Sequence, residues 1–200
     1  MFLIAVSNPR LIKIILFFLC LIPLAWLVWR GLNAELGANP VETVTRYTGD
    51  WTLRFLFITL SVTPARRLLG WKSLLRYRRM LGLFSFFYAS IHFSIYVIDQ
   101  YFSVETIVED ILKRPYITVG FGCFILLIPL AITSANNMIR RLGAKRWQQL
   151  HRLVYVVAIG GVLHFLWLVK SDISGPLLYG TLLCGLLGYR VWNRYNQKQA

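Results

Sequence analysis

Apolar positions run along the chain in six long blocks, separated by short polar segments. Runs of this length predict membrane-spanning helices. The pattern places them at Leu11–Trp29, Trp51–Pro64, Met80–Ile98, Tyr116–Ser134, Leu150–Val169 and Pro176–Val191. The second is short for a span and either continues toward Leu69 or crosses with little tilt. The first does not read as a cleaved signal peptide: it is too long, holds Pro23, Trp26 and Trp29, and lacks a small-residue cleavage site. No internal repeat or low-complexity segment is visible, and the loops are too short for a second domain. Residues 1–200 therefore read as one transmembrane domain, an all-α integral membrane protein built as a six-helix bundle.

Composition agrees. Of 200 residues, 57% are hydrophobic and 15% charged, with a mean hydropathy of +0.58. A soluble domain of this size needs far more polar surface. The net charge of +14 would suggest nucleic acid in a soluble chain. Here the basic residues fall between apolar runs, so topology accounts for them and no nucleic-acid partner is expected. Arg66, Arg67, Lys72, Arg76, Arg78 and Arg79 separate the second and third runs; Arg140, Arg141, Lys145 and Arg146 separate the fourth and fifth, with Arg152 just inside. With Arg10, Lys13, Arg190, Arg194 and Lys198, 16 of the 22 basic residues share one side. All eight acidic residues (Glu35, Glu42, Asp50, Asp99, Glu105, Glu109, Asp110 and Asp172) fall on the other. The positive-inside rule makes the basic side, and with it both termini, cytoplasmic.

Candidate chemistry is sparse. Cys20, Cys123 and Cys184 each lie inside an apolar run, and none forms a CxxC or CxxCH pair. This excludes a recognisable disulfide framework, zinc motif or covalent haem attachment and leaves them as packing residues. The three histidines are more informative. His92 lies about 18 Å into the third span from its cytoplasmic end, and His164 about 21 Å into the fifth. Both helices run outward, so the two imidazoles reach similar depth, where ionisable groups are costly and are functional candidates. One reading is a pair of buried neutral histidines, each bonded to a neighbouring helix. The other is a pair of axial ligands to a b-type haem held edge-on between helices. No carboxylate or cysteine is expected at that depth, which disfavours zinc and non-haem iron. Gly160 and Gly161 leave room beside the fifth helix, and Phe86, Phe87, Phe93, Phe165 and Trp167 offer aromatic walls.

His151 lies at the cytoplasmic end of its helix, about 19.5 Å from His164 along the axis and about 140° round from it. It is either an interfacial histidine or a contact to a second cofactor. Arg54, near the outer end of the second span, either snorkels or pairs with an anion such as a haem propionate. Arg78 and Arg79, with Arg76, Arg140, Arg141, Lys145 and Arg146, could hold a flavin phosphate; positive-inside topology and anionic lipid explain the same residues.

Several motifs carry a family resemblance: LxPLxWLVW from Leu21, RRMLGL from Arg78, IHFSIY from Ile91, KRPYITVG from Lys113, LGAKRWQQLHRLVYVVA from Leu142 and LHFLW from Leu163. Over nearly its whole length the chain resembles the MsrQ (formerly YedZ) family, the haem-binding membrane subunits of periplasmic protein-methionine-sulfoxide reductase systems. More distantly it resembles the transmembrane domain of ferric reductases and NADPH oxidases. The resemblance implies a multi-pass protein of the bacterial inner membrane that carries haem b and is associated with FMN. Its electrons would come from the quinone pool or a cytoplasmic flavin reductase. They would pass to a periplasmic molybdenum-cofactor methionine-sulfoxide reductase subunit (MsrP) that repairs oxidised periplasmic proteins. His92 and His164 match the family's axial ligands, and His151 its additional histidine. NADPH oxidases place a second histidine thirteen or fourteen residues before the equivalent of His92; here those positions are Arg79 and Arg78, which puts a two-haem relay in doubt. No nucleotide-binding domain is expected after the sixth span, so direct oxidation of NAD(P)H is not expected either. An electron-transfer subunit is thus favoured over a stand-alone ferric or oxygen reductase, and both over a non-redox transporter or scaffold.

Overall fold

The computed structural model describes residues 8–169 and 171–199, which are helical apart from short turns. In chain order the helices are α1 (Pro9–Leu32), α2 (Pro40–Leu69), α3 (Leu75–Asp99), α4 (Val104–Lys113), α5 (Pro115–Ile132), α6 (Asn136–Leu142), α7 (Ala144–His151), α8 (Leu153–Leu168) and α9 (Ser174–Gln199). Their ends follow local chemistry. Asn8 and Asn39 place side-chain oxygens on the backbone N–H groups of Arg10 and Glu42, and each is followed by proline, whose missing N–H costs nothing at a helix start. Gly70, at φ 71°, supplies the left-handed residue that ends α2.

Four segments are long and apolar enough to cross a membrane: Pro9–Leu32, Lys72–Asp99, Pro115–Ile132 and Ala144–Leu168. The chain is a multi-pass membrane protein. α2 and α9 do not meet that standard, though they run for 30 and 26 residues. For α2 the reason is its position. It packs on both sides, burying Leu53, Phe55, Leu56, Phe57, Leu60 and Val62. A helix shielded by its neighbours is free to carry Thr48, Thr52, Thr59 and Ser61, whose hydroxyls all bond to carbonyls of their own helix. The expected span Trp51–Pro64 is therefore only the middle of a much longer helix. α1, by contrast, turns Ile14, Phe18 and Ile22 outward, as a lipid-facing helix does.

The expected fifth span, Leu150–Val169, is also different in detail. It is two helices, α7 and α8, divided at Arg152. His151 consequently closes α7 and does not share one unbroken helix with His164.

Two prolines open hydrogen-bonding positions that other helices fill. Pro64 has no N–H to offer the carbonyl of Leu60. Arg190 of α9 donates to that oxygen at 2.6 Å, while also bonding the Leu186 carbonyl at 3.1 Å and lying over the Tyr155 ring at 5.2 Å. Beside Pro23 the Tyr88 hydroxyl enters the ladder of α1. It accepts from the Leu24 N–H at 3.1 Å and donates to the Cys20 carbonyl at 2.9 Å, the two groups that a regular helix pairs directly. Tyr88 is 0% exposed. Tyr88→Phe removes both bonds and leaves a donor and an acceptor to re-pair beside Pro23, at a cost of about 1–3 kcal/mol. The expected result is a lower thermal unfolding midpoint in detergent, measured by circular dichroism.

Candidate haem-ligand site

His92 on α3 and His164 on α8 are brought together. Their ring centroids are 6.2 Å apart and their planes stand at 85°. Each is fixed by one backbone carbonyl from a different helix. His92 Nδ1 lies 2.9 Å from the Thr45 carbonyl of α2, and His164 Nδ1 lies 2.6 Å from the Tyr116 carbonyl of α5. A carbonyl only accepts, so both Nδ1 atoms carry the hydrogen and both Nε2 atoms keep a free lone pair. The Thr48 hydroxyl also approaches the Thr45 carbonyl, at 3.0 Å, but its single hydrogen has a shorter partner in Val44, at 2.8 Å. This is the state a metal-ligating histidine requires: one nitrogen anchored, the other open.

Two glycines make the arrangement possible. A methyl group built on Gly120 would fall 2.7 Å from His164 Nδ1 and 2.8 Å from its Cε1. One built on Gly49 would fall 3.2 Å from His92 Cε1 and 3.3 Å from its Nδ1. The glycines singled out from sequence do something else. Gly160 faces Cys123 Sγ and Gly161 faces Leu53 Cδ2. They let helices approach closely, and the room expected beside them is filled by protein.

The donor set tests what these imidazoles can hold. Among the described residues no group of three or more His, Cys, Asp or Glu side chains converges on a point. A zinc or non-haem iron centre, which takes three or four protein ligands, is not built here. A porphyrin brings four donors of its own and needs only two more. The two imidazoles, 6.2 Å apart between ring centroids and each with Nε2 free, would supply those two. The site fits a haem. The absence of a carboxylate at this depth, expected from the sequence, does not hold. Because α2 begins at Pro40, Asp50 follows Gly49 at the level of His92, so a carboxylate does lie at this depth. It interacts with Arg46 and Arg54.

Aromatic pairs join the helices that carry the site, and one ring, Tyr116, lies beside His164. Phe93 stacks on Phe124 at 4.6 Å, Phe86 on the same ring at 5.9 Å, and Tyr116 lies 6.3 Å from His164. The start of α5, and so the Tyr116 carbonyl, is tied to α3 through α4. Tyr96 donates to Asp110 at 3.3 Å, and Asp110 pairs with Arg114 at 3.2 Å. A hydrogen bond to the Tyr116 phenol, and then the Asp110 charge, raise the pKa of Arg114 above its ordinary value.

Arg54 lies on the same helix as the Thr45–Gly49 contact to His92. It follows Gly49 by five residues, about 7.5 Å toward the basic end and about 140° round α2, and its guanidinium spreads over Trp51 at 4.7 Å. Arg78, Arg79 and His151 share the basic end of the bundle, near enough for both arginines to act on the imidazole electrostatically. Arg78 reaches the Thr63 hydroxyl at 3.4 Å and Arg79 bonds to Asn136. His151 Nε2 lies 3.0 Å from the Thr133 hydroxyl, whose own hydrogen goes to the Pro129 carbonyl at 2.6 Å. Nε2–H therefore donates to Thr133. Trp147 stacks on the ring at 4.0 Å and donates to the Thr133 carbonyl at 2.8 Å.

Comparison with known proteins places this geometry. Residues 48–162 match the family described as "Ferric reductase like transmembrane component", a stretch that includes His92 and His151 and stops two residues before His164. Three similar proteins carry the name protein-methionine-sulfoxide reductase heme-binding subunit MsrQ. The one from Herminiimonas arsenicoxydans is 52% identical, over 97% of this chain and 93% of its own. Those from Rhodospirillum rubrum and Ralstonia nicotianae are 51% and 50% identical, over 92% and 93% of this chain and 89% and 87% of theirs. No solved structure matches at a significant level.

Proposed function

The chain belongs to the MsrQ family of haem-binding subunits, within the ferric reductase like transmembrane components, and from that premise we propose that it is the electron-transfer subunit of a methionine-sulfoxide repair system. In this reading it lies in the bacterial inner membrane as six spans, α2 and α9 being the two less apolar ones, with both termini cytoplasmic. The donor is the quinone pool or a cytoplasmic flavin reductase, and the acceptor is a periplasmic molybdenum-cofactor methionine-sulfoxide reductase subunit, MsrP.

One observation carries the proposal: two imidazoles on separate helices, 6.2 Å apart, each with Nδ1–H held by a carbonyl and Nε2 free. His92 and His164 would hold a haem b through these nitrogens; with no CxxCH motif in the chain, attachment is through the ligands alone. Bound there, haem supplies a one-electron carrier. The protein's residues set its conditions. The Thr45 and Tyr116 carbonyls increase the basicity of the imidazoles, and the Tyr116 ring lies beside one of them. At the basic end, Arg78 and Arg79 form a cationic surface beside His151 on which an FMN phosphate or a quinone headgroup could be received.

Stopped-flow absorption tests the direction of transfer. The purified protein, reduced with dithionite and freed of excess reductant, is mixed anaerobically with the oxidised molybdenum-cofactor subunit, with ferric citrate, or with oxygen. Fast reoxidation by the molybdenum subunit, well above the other two, is expected. Reoxidation only by ferric citrate or oxygen would replace this reading with a stand-alone surface reductase.

A further inference from the structure

The two imidazoles are held by one device used twice. His92 bonds to the carbonyl of Thr45 and packs on Gly49, four residues further along the same helix; His164 bonds to the carbonyl of Tyr116 and packs on Gly120, again four residues further along. The sequence separation from carbonyl to histidine is 47 in one case and 48 in the other. In an α-helix the residue at i+4 stands beside the carbonyl of residue i. This chain illustrates the point at Thr45, Thr59 and Ser61, whose hydroxyls bond the carbonyls of Val41, Phe55 and Phe57. A glycine at i+4 vacates that place, and here an imidazole from a facing helix takes it.

We infer that Gly49 and Gly120 are positioning residues for the axial ligands, forming with the carbonyls of Thr45 and Tyr116 a repeated cradle that fixes the tautomer and ring plane of His92 and His164. The inference rests on the reading of these histidines as haem ligands. The pairs α2–α3 and α5–α8 each present carbonyl, glycine and imidazole in the same order, so the site is assembled from two equivalent halves. Sequence similarity between the halves is not needed, because backbone supplies the acceptor and the absence of a side chain supplies the space.

The cradle makes a graded prediction. Gly120→Ala places a methyl group against the His164 ring at a distance that real Cβ atoms do not show, so the imidazole must move and its bond to Tyr116 is lost. Gly49→Ala is milder, requiring His92 to give by a few tenths of an ångström. Gly122, on the same helix as Gly120, has nothing within 4 Å of a built Cβ and serves as the control. Haem content, midpoint potential and the low-spin electron paramagnetic resonance spectrum, which reports the mutual angle of the imidazole planes, are measured on each purified variant. Gly122→Ala is expected to match wild type. Gly49→Ala is expected to keep its haem with altered g values and a raised midpoint potential, since a weaker Nδ1–H bond makes a less basic ligand. Gly120→Ala is expected to lose about 10- to 100-fold in haem affinity.

Wild-type g values and potential in both Gly49→Ala and Gly120→Ala would overturn the inference. So would a loss in Gly122→Ala as large as that in Gly120→Ala, because the effect would then belong to packing of α5 as a whole. If Gly120→Ala does not fold, Gly49→Ala decides alone. Failure of the underlying reading looks different: His92→Ala and His164→Ala would then keep the wild-type spectrum, whatever the glycine variants do.

Discussion

With His92 and His164 as the haem ligands, His92→Ala and His164→Ala are each expected to lose the sharp six-coordinate low-spin spectrum, and electron delivery to the proposed molybdenum-cofactor partner is expected to fall with it. The expected loss exceeds the 10- to 100-fold effect typical of groups that only orient a ligand, because here the ligand itself goes. Neither histidine has a substitute nearby: among the described residues no third metal-ligating side chain converges with them. The two variants should resemble each other, since the rings are held by equivalent carbonyl bonds at 2.9 and 2.6 Å. A glycine at either position leaves space for a small molecule, so added imidazole should restore part of the low-spin spectrum to His164→Gly. Full haem content and an unchanged spectrum in both alanine variants would remove the haem-ligand assignment, and with it the proposed carrier.

The apolar blocks are legible from sequence because lipid-facing helices must be apolar along their whole length; α1, α3, α5 and α7–α8 have that character. The limits of α2 are not legible for the opposite reason. Packed on two sides, it tolerates threonines and Asp50 where its neighbours shield them, while the exposed Arg54 lies over Trp51, and hydropathy finds only its middle. The convergence of His92 and His164 follows from span direction and depth, quantities that basic and acidic residues fix in advance. The glycines are harder. Gly160 and Gly161 stand out beside His164 in the chain, yet they serve helix contact, while Gly49 and Gly120 act on histidines 43 and 44 residues away. A spacing that differs by one residue is the one trace they leave, and among 14 glycines it carries little weight until the helices are in place. Tyr88 and Arg190 are invisible in the same way, since the groups they satisfy are backbone atoms of other helices.

The second large effect is expected at the basic end. His151→Ala keeps the spectrum of the His92–His164 site, which lies on other helices, but slows its reduction by the physiological donor. Dithionite, which needs no donor site, should still reduce it fully. The structure gives His151 a competing role that the experiment must separate. α5 ends at Ile132, so the carbonyl and hydroxyl of Thr133 need partners, and Trp147 and His151 provide them. Losing that cap costs stability on the order of 1 kcal/mol. Glutamine divides the two roles: its amide can donate to the Thr133 hydroxyl, as Nε2–H does, but it has no imidazole to offer a flavin, quinone or second haem. If His151 serves a cofactor, His151→Gln regains the unfolding midpoint and remains slow with the physiological donor. If it only caps α5, His151→Gln regains both. Arg78→Gln and Arg79→Gln extend the argument, because they remove charge beside the ring without touching Thr133. With an anionic donor or flavin phosphate at this end, each should slow donor-side reduction further as ionic strength rises, since salt screens the cations that remain.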